Sequence, residues 1–256
     1  MLEAPEPATA DQLATIHAPA YVEAVRTGDP ADLAEGNGFT WDPGMFVSTA
    51  TSTGGAAAAA LRALETGTAG SLSSGLHHAR RAGGAGFCTF NGLALAAKTA
   101  LAAGVTGVLV IDLDAHCGGG TAELLAGDPR VASVDLAVSA YDFYPERGRF
   151  TLDVIGDADL YLPTLRRRLA ELDRVDIGLV LYNAGMDPYE GCPVGGRHGM
   201  TAELLAEREE TVFAWCAAVD LPVAFVLAGG YIGTNLTEAA LVDLHRLTLE
   251  AAARHA

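Results

Sequence analysis

The chain has 256 residues, and its 16 Lys+Arg against 32 Asp+Glu give a formal charge of −16 and a pI near 4.6. Half of the residues are hydrophobic, enough for a large buried core, which excludes a disordered chain and fits one α/β-sized domain. The acidic balance argues against nucleic acid, whose binding needs a basic surface to displace counterions, and suits a cationic substrate. In chain order, apolar periodicity predicts a strand over Gly70–Ser74, a helix over Gly92–Ala103, and strands over Val108–Asp112 and Val131–Ala137. A helix over Leu160–Leu172, a strand over Ile177–Ala184, a helix over Ala202–Val219, a strand over Val223–Ala228 and a helix over Leu236–Ala253 follow. Continuous apolar strands alternating with helices predict an α/β fold: a parallel sheet flanked by helices on both faces, with its chemistry at the carboxyl ends of the strands.

No apolar run approaches the roughly 20 residues needed to cross a bilayer, and MLEAPEPATADQ has neither the basic nor the apolar segment of a secretory signal. The cysteines Cys88, Cys117, Cys192 and Cys216 are widely spaced and form no CxxC pair, so a reduced, cytoplasmic protein away from membranes is expected.

The segment VLVIDLDAHCGGGTAEL ends a predicted strand with Asp112, Asp114 and His116 at alternate positions. An extended backbone turns all of them to one side, as a divalent-metal nest requires; taken alone, the same residues also read as an acidic cap on a helix N-terminus. A second strand ends in LVLYNAGMDPYEGCPVGG, and Asp187 there is either a third N/O ligand or the initiator of an Asp-Pro turn. Asp114, His116 and Asp187 together leave a fourth position free, the arrangement of a catalytic zinc site, with Asp112 orienting a neighbour. Adjacent His77 and His78 precede a glycine-rich loop and offer imidazoles suited to proton transfer near pH 7. In FVLAGGYIGTN, Tyr231 follows another strand on a glycine hinge, where its phenol can donate to a developing oxyanion.

The motifs HHA, GFCTFN, DLDAHCGGGT, AGMDPYEG and LAGGY, in this order, resemble the histone deacetylase family of zinc amidohydrolases, which includes acetylpolyamine amidohydrolases and acetoin-utilisation proteins. The resemblance implies the arginase/deacetylase fold with a central sheet of about eight strands. It implies zinc, with iron(II) able to share the ligand set, on Asp114, His116 and Asp187. It also implies His77 and His78 as the acid–base pair, Asp112 behind the first histidine, and Tyr231 as the carbonyl-polarising tyrosine. Gly86 and Phe87, with Tyr144 in DFYP, match the acyl-lysine channel, and Asp42 in TWDPG matches the rim carboxylate. A monovalent cation such as K+ is implied near Asp112, Asp114, His116, Asp135 and Leu136, with Asp135 standing where a serine is usual. The activity implied is removal of an acetyl or other short acyl group from a lysine side chain, polyamine or similar cationic amine, by metal-activated water and a histidine.

Several positions depart from the family pattern. Gly119 stands where an Asp or Asn normally fixes the second histidine, so His78 is expected to lean on a backbone carbonyl or water instead. Cys117 and Cys192 replace a histidine and a loop aspartate and are expected to pack rather than to bind metal. The single domain, residues 1–256, is expected to lack the family's N-terminal strand and loop, leaving a sheet edge for a homo-oligomer or a rearranged N-terminus to cover. These departures leave open a second function, a catalytically weak or inactive protein that binds metal and an acyl ligand. A ureohydrolase would need a second metal set, and a nucleotide-binding reading fails because HCGGGTAE lacks the third fingerprint glycine.

Overall fold

A computed structural model describes residues 2–172 and 176–256. The chain opens with short helices α1 (Ala10–Leu13), α2 (Pro19–Thr27) and α3 (Ala31–Ala34), then α4 (Met45–Thr66) and strand β1 (Thr68–Ser71). Next come α5 (Gly92–Ala102), β2 (Val108–Asp112), α6 (Gly119–Leu125), β3 (Val131–Ala137) and β4 (Phe150–Val154). A 3₁₀ turn leads into α7 (Tyr161–Glu171), followed by β5 (Leu179–Gly185), α8 (Ala202–Ala218), β6 (Val223–Ala228) and α9 (Glu238–Arg254).

The strands form one parallel sheet in the order β1-β6-β5-β2-β3-β4. Alternate residues of each strand feed separate cores. Val108, Val110, Leu179, Leu181, Ala224 and Val226 pack with α4 and α5, whereas Leu109, Ile111, Val180, Tyr182, Val223 and Phe225 pack with α7, α8 and α9. That division explains why β2, β3 and β5 read as unbroken apolar runs: both faces of the sheet are covered.

From β2 the chain adds β3 and β4 on one side, then returns to add β5 and β6 on the other. The order therefore reverses between β2 and β5, and a crevice opens beyond their carboxyl ends, as such switch points require. Asp112 pairs in register with Asn183, which places the loops that follow these strands side by side.

Two expectations on the sheet are corrected. It has six strands among the described residues rather than about eight, with β1 at one edge and β4 at the other. The first strand also lies earlier than Gly70–Ser74, because pairing of Thr68 with Val223 and Ser71 with Val226 sets its register. Residues 5–8 run as a non-strand segment along α4, with the Ala8 N–H donating to the Ala50 carbonyl at 2.9 Å.

This contact explains Gly54, the first of two adjacent glycines inside the long helix α4. A Cβ on Gly54 would lie 2.2 Å from the Glu6 carbonyl oxygen and 2.8 Å from the Ala8 nitrogen. In a free helix Gly→Ala gains about 1 kcal/mol. Here Gly54→Ala is expected to lower stability by about 1–3 kcal/mol, because backbone must move aside. Thermal unfolding checks this against Gly127→Ala, whose Cβ would meet nothing within 4 Å; equal melting temperatures would show that residues 5–8 do not pack as described.

Candidate active site

Asp112 ends β2, and Asp114 and His116 follow it; Asp187 lies two residues beyond the end of β5. The structure brings Asp114, His116 and Asp187 together, with one potential ligand atom from each within 4.8 Å of the others. His116 Nδ1 lies 3.1 Å from Asp114 Oδ1 and 3.1 Å from Asp187 Oδ2. The other Asp187 oxygen accepts from the Ala115 N–H at 2.9 Å, whereas buried Oδ2 has no hydrogen bond of good geometry despite the nearby imidazole. A buried, unsatisfied carboxylate oxygen beside a second carboxylate and an imidazole is a donor set that fits a divalent cation.

Without a cation, protons balance these charges. Burial opposes charging of His116, but hydrogen bonds to Asp114 and Asp187 outweigh it and raise its pKa to about 9. Burial and the Asp114 charge raise Asp187 to about 7, while the flanking imidazoles hold Asp114 well below the usual range against its own burial.

The paired histidines sit beside this group. Asp112 Oδ2 lies 2.8 Å from His77 Nδ1, and Asp112 Oδ1 accepts from Asn183 Nδ2 at 2.7 Å. The two Nε2 atoms of His77 and His78 are 3.1 Å apart, so one of them must donate. Burial disfavours a charged His77, but the Asp112 and Asp114 carboxylates prevail and hold its pKa well above 6.5. Burial and the His77 charge lower that of His78. His77 is thus the cation that donates from both nitrogens, and His78 is neutral and accepts at Nε2.

Gly119 carries no side chain for His78, and the expected substitute, a backbone carbonyl or water, is corrected: Asp142 Oδ2 lies 2.8 Å from His78 Nδ1. The other Asp142 oxygen receives Arg80 Nη2, and Arg80 Nη1 donates to Glu123 at 2.8 Å.

The channel expectation is corrected in part. Phe87 stands half-exposed 6.0 Å from the Tyr231 ring, and a Cβ on Gly86 would lie 2.5 Å from the His78 ring, so both border the site. Tyr144 does not. Its hydroxyl donates to Asp135 Oδ2 at 3.1 Å and its ring packs against the core, because a buried carboxylate draws in the nearest phenol. Tyr141 takes the open position instead, its ring 5.0 Å from His78 and 5.8 Å from His116 and perpendicular to both. Asp42 is exposed at the entry to α4, accepting from the Gly44 N–H at 2.6 Å. Phe39 of the same loop rests on Phe87 at 5.4 Å.

Tyr231 follows Gly229 and Gly230, both at positive φ. A Cβ on Gly229 would lie 2.3 Å from Asp187 Oδ1, so the hinge must be this bare for the loop to pass over the carboxylate. Burial and the Asp187 and Asp114 charges raise the Tyr231 pKa, which keeps its phenol a donor. Cys192 packs as expected: its sulfur accepts from the Tyr231 N–H at 3.3 Å. Cys117 Sγ donates to the Ser139 carbonyl and its N–H to that of Tyr141, securing the loop after β3. Asp135 accepts from the Gly118 N–H at 2.8 Å, and burial together with the Asp112 charge pushes its carboxyl well up. The neighbouring Leu136 carbonyl accepts a long bond from the Tyr161 hydroxyl.

Other supports were not anticipated from sequence. Arg208 is fully buried on α8; its Nη1 donates to the Leu113 carbonyl at 3.0 Å and its Nη2 reaches Met186 Sδ, so one guanidinium backs the residues preceding both Asp114 and Asp187. Glu209 pairs with it at 2.6 Å. His17, whose pKa burial lowers to about 4, lies 2.7 Å from the Arg80 carbonyl at Nδ1 and accepts from the Asn91 N–H at Nε2. Asn91 Nδ2 donates in turn to the carbonyls of His77 and Ala79. A helical Arg-Glu pair in sequence reads as solvated, and only burial reveals this one.

A carboxylate–imidazole cluster thus sits at the switch point of a six-stranded parallel sheet, beside paired histidines and a hinged tyrosine. The acetylpolyamine aminohydrolase from Burkholderia pseudomallei superimposes with a TM-score of 0.79 over 97% of this chain and 84% of that one, and at 20% identity it shows the shared fold. The HDA15 HD domain gives 0.76 over 98% and 74%, also at 20% identity. The histone deacetylase domain matches residues 1–247, and the chain belongs to that family. An uncharacterised protein of Picosynechococcus sp. is 37% identical over 227 residues, 86% of this chain and 75% of that one. Histone deacetylase 2 of Arabidopsis thaliana is 33% identical over 190 residues, 71% of this chain and 49% of that protein. Mouse polyamine deacetylase HDAC10 is 28% identical over 275 residues, 94% of this chain and 40% of that protein, so the chain spans about half or less of these two deacetylases.

The proton balance has a measurable consequence. The folded His116 pKa of about 9 exceeds the ordinary 6.5, so its stabilisation of the metal-free protein is complete below pH 6.5 and is lost as pH rises through 9. The metal-free melting temperature is expected to fall over that window, and His116→Gln to flatten the slope. Titration with zinc near pH 7 is expected to release about one to two protons, read by calorimetry in buffers of different ionisation enthalpy. Arg208→Leu strands the Glu209 charge and is expected to cost about 3–5 kcal/mol in denaturant unfolding.

Proposed function

We propose that this chain is a metal-dependent deacetylase that removes an acetyl or other short acyl group from a cationic amine, a lysine side chain or a polyamine. The observation that carries this reading is the convergence of Asp114, His116 and Asp187 within 4.8 Å, with the histidine pair directly beside them. Zinc is the expected ion, iron(II) shares the ligand set, and K+ suits the carboxylates of Asp112 and Asp135. A divalent ion held there supplies Lewis-acid polarisation of the acyl carbonyl and lowers the pKa of water.

The chain's own residues supply the remainder. His78, neutral and with Nε2 as its basic nitrogen, gives up the bond it accepts from His77 Nε2, takes the proton of the attacking water and returns it to the amine nitrogen as the amide C–N bond breaks. His77, held charged through Asp112, adds positive charge beside the developing oxyanion. The Tyr231 phenol donates to the acyl oxygen. Phe87 and Tyr141 flank a thin methylene linker, and Asp42 on the adjoining loop faces the carrier. The charge of −16 draws cationic carriers toward the site. The names of HDAC10 and of the Burkholderia enzyme, polyamine deacetylase and acetylpolyamine aminohydrolase, support an amine substrate.

The test is turnover of fluorogenic acetyl-lysine peptides and of N-acetylated polyamines by zinc-loaded protein. Tyr231→Phe is expected to lower kcat about 10²–10³-fold, as loss of one oxyanion donor does, while Asp187→Ala loses both metal and turnover. Stoichiometric zinc binding with no turnover of any acyl-amine would overturn the enzyme reading in favour of a metal- and acyl-binding protein.

A further inference from the structure

The residue that orients His78 comes from an unexpected place in the chain. We infer that Asp142, on the loop after β3, is the positioning residue for His78, taking over from a different element the duty that Gly119 has no side chain to perform. The inference rests on the deacetylase reading for its kinetic consequence but not for its geometry.

The two arrangements exclude each other in space. A Cβ on Gly119 would lie 2.4 Å from the Asp142 carbonyl oxygen and 2.5 Å from its Oδ1, so Asp142 stands where a side chain at 119 would begin. Neither could shift cheaply, because the closest atom is backbone. Asp142 also adopts φ of +61°, a left-handed conformation that Asp tolerates better than most residues but that still needs the surrounding loop to hold it. The restraints are present. The Cys117 N–H donates to the Tyr141 carbonyl at 3.0 Å, and the Ser139 N–H to that of Ala115 at 2.8 Å.

Each Asp142 oxygen has its own partner, His78 Nδ1 on one side and the Arg80 guanidinium on the other. A surface ion pair would leave the carboxylate in water, yet the Asp142 side chain is 7% exposed against 38% for Arg80. Glu123 on α6 receives Arg80 Nη1 and, with its other oxygen, the Arg81 N–H, so the guanidinium is fixed from behind. His78 is thereby held by its Nδ1–H on Asp142, which leaves Nε2 as its basic nitrogen. Tyr141, the preceding residue, meets the same imidazole edge to face. One loop thus both orients the base and walls it.

The experiment is ¹⁵N spectroscopy of the histidine rings in the full-length, metal-free protein, with His78 assigned by its loss in His78→Gln. The wild type is expected to show His78 protonated at Nδ1 and in slow exchange with water. Asp142→Ala should shift and broaden that signal. Asp142→Asn, which keeps the volume and tolerates the same backbone, should weaken it, because the amide must turn an NH₂ toward either His78 or Arg80. With zinc, Asp142→Ala is expected to lower kcat about 10–100-fold, as loss of a partner behind an active-site group does, with KM within about twofold and the His78 limb of the pH profile displaced. His78 protonated at Nε2 in the wild type would overturn the inference, as would Asp142 variants that leave its ring signals unchanged. If no acyl-amine is turned over, the ring spectra still decide the role of Asp142, while the deacetylase reading fails separately.

Discussion

Four carboxylates, Asp112, Asp114, Asp135 and Asp187, are buried at one end of a single sheet, and their mutual repulsion is the constraint around which the rest is arranged. Burying even one charge without a partner costs several kcal/mol, so each must meet a proton, an imidazolium or a cation. His77 answers Asp112, His116 lies between Asp114 and Asp187, and Asp135, with one oxygen unpartnered, is pushed toward its neutral form. Coupled charges of this kind make the site responsive to what binds there: a divalent ion displaces protons, and a proton acceptor stands within reach.

Such a cluster persists only on a rigid frame. The strands contribute direction, since a parallel sheet delivers every carboxyl end to one edge and the reversal between β2 and β5 leaves room there. The loops are then restrained individually. Arg208 backs the loops of Asp114 and Asp187, Cys192 holds the tyrosine hinge, Cys117 holds the loop of Tyr141 and Asp142, and His17 with Asn91 secures the backbone of the histidine pair. Most of these restraints are hydrogen bonds to main-chain groups rather than to the reactive side chains. They fix the backbone from which the side chains of the site project.

The convergence of Asp114, His116 and Asp187 beside the histidine pair was legible because each residue lies in a short motif that follows a strand. The extended backbone on which that reading rested stops at Asp112, the end of β2, and a bend through residues 114 and 115 carries Asp114 and His116 into the site. Helix α4 was not anticipated, because it carries two adjacent glycines, and the segment that Gly54 makes room for lies more than forty residues away in sequence. Edge strand β4 is half-exposed and carries Asp153, so it lacked the apolar run that marked its neighbours. Tyr144 was misplaced for a related reason. Nothing within DFYP says which of its aromatic neighbours will be drawn inward by Asp135 and which will remain at the mouth.

The amino-acid sequence by itself determined the parallel α/β architecture, which follows from local periodicity, and the family, which short motifs in a fixed order carry by resemblance. Tertiary structure alone decided how the side chains of the site are held. Asp142 meets His78 across 64 positions and Arg208 meets Leu113 across 95, separations at which local spacing carries no information on which side chains share a buried space. The missing side chain at Gly119 looked like a defect in the linear chain. In space it is the clearance through which another carboxylate reaches the same imidazole.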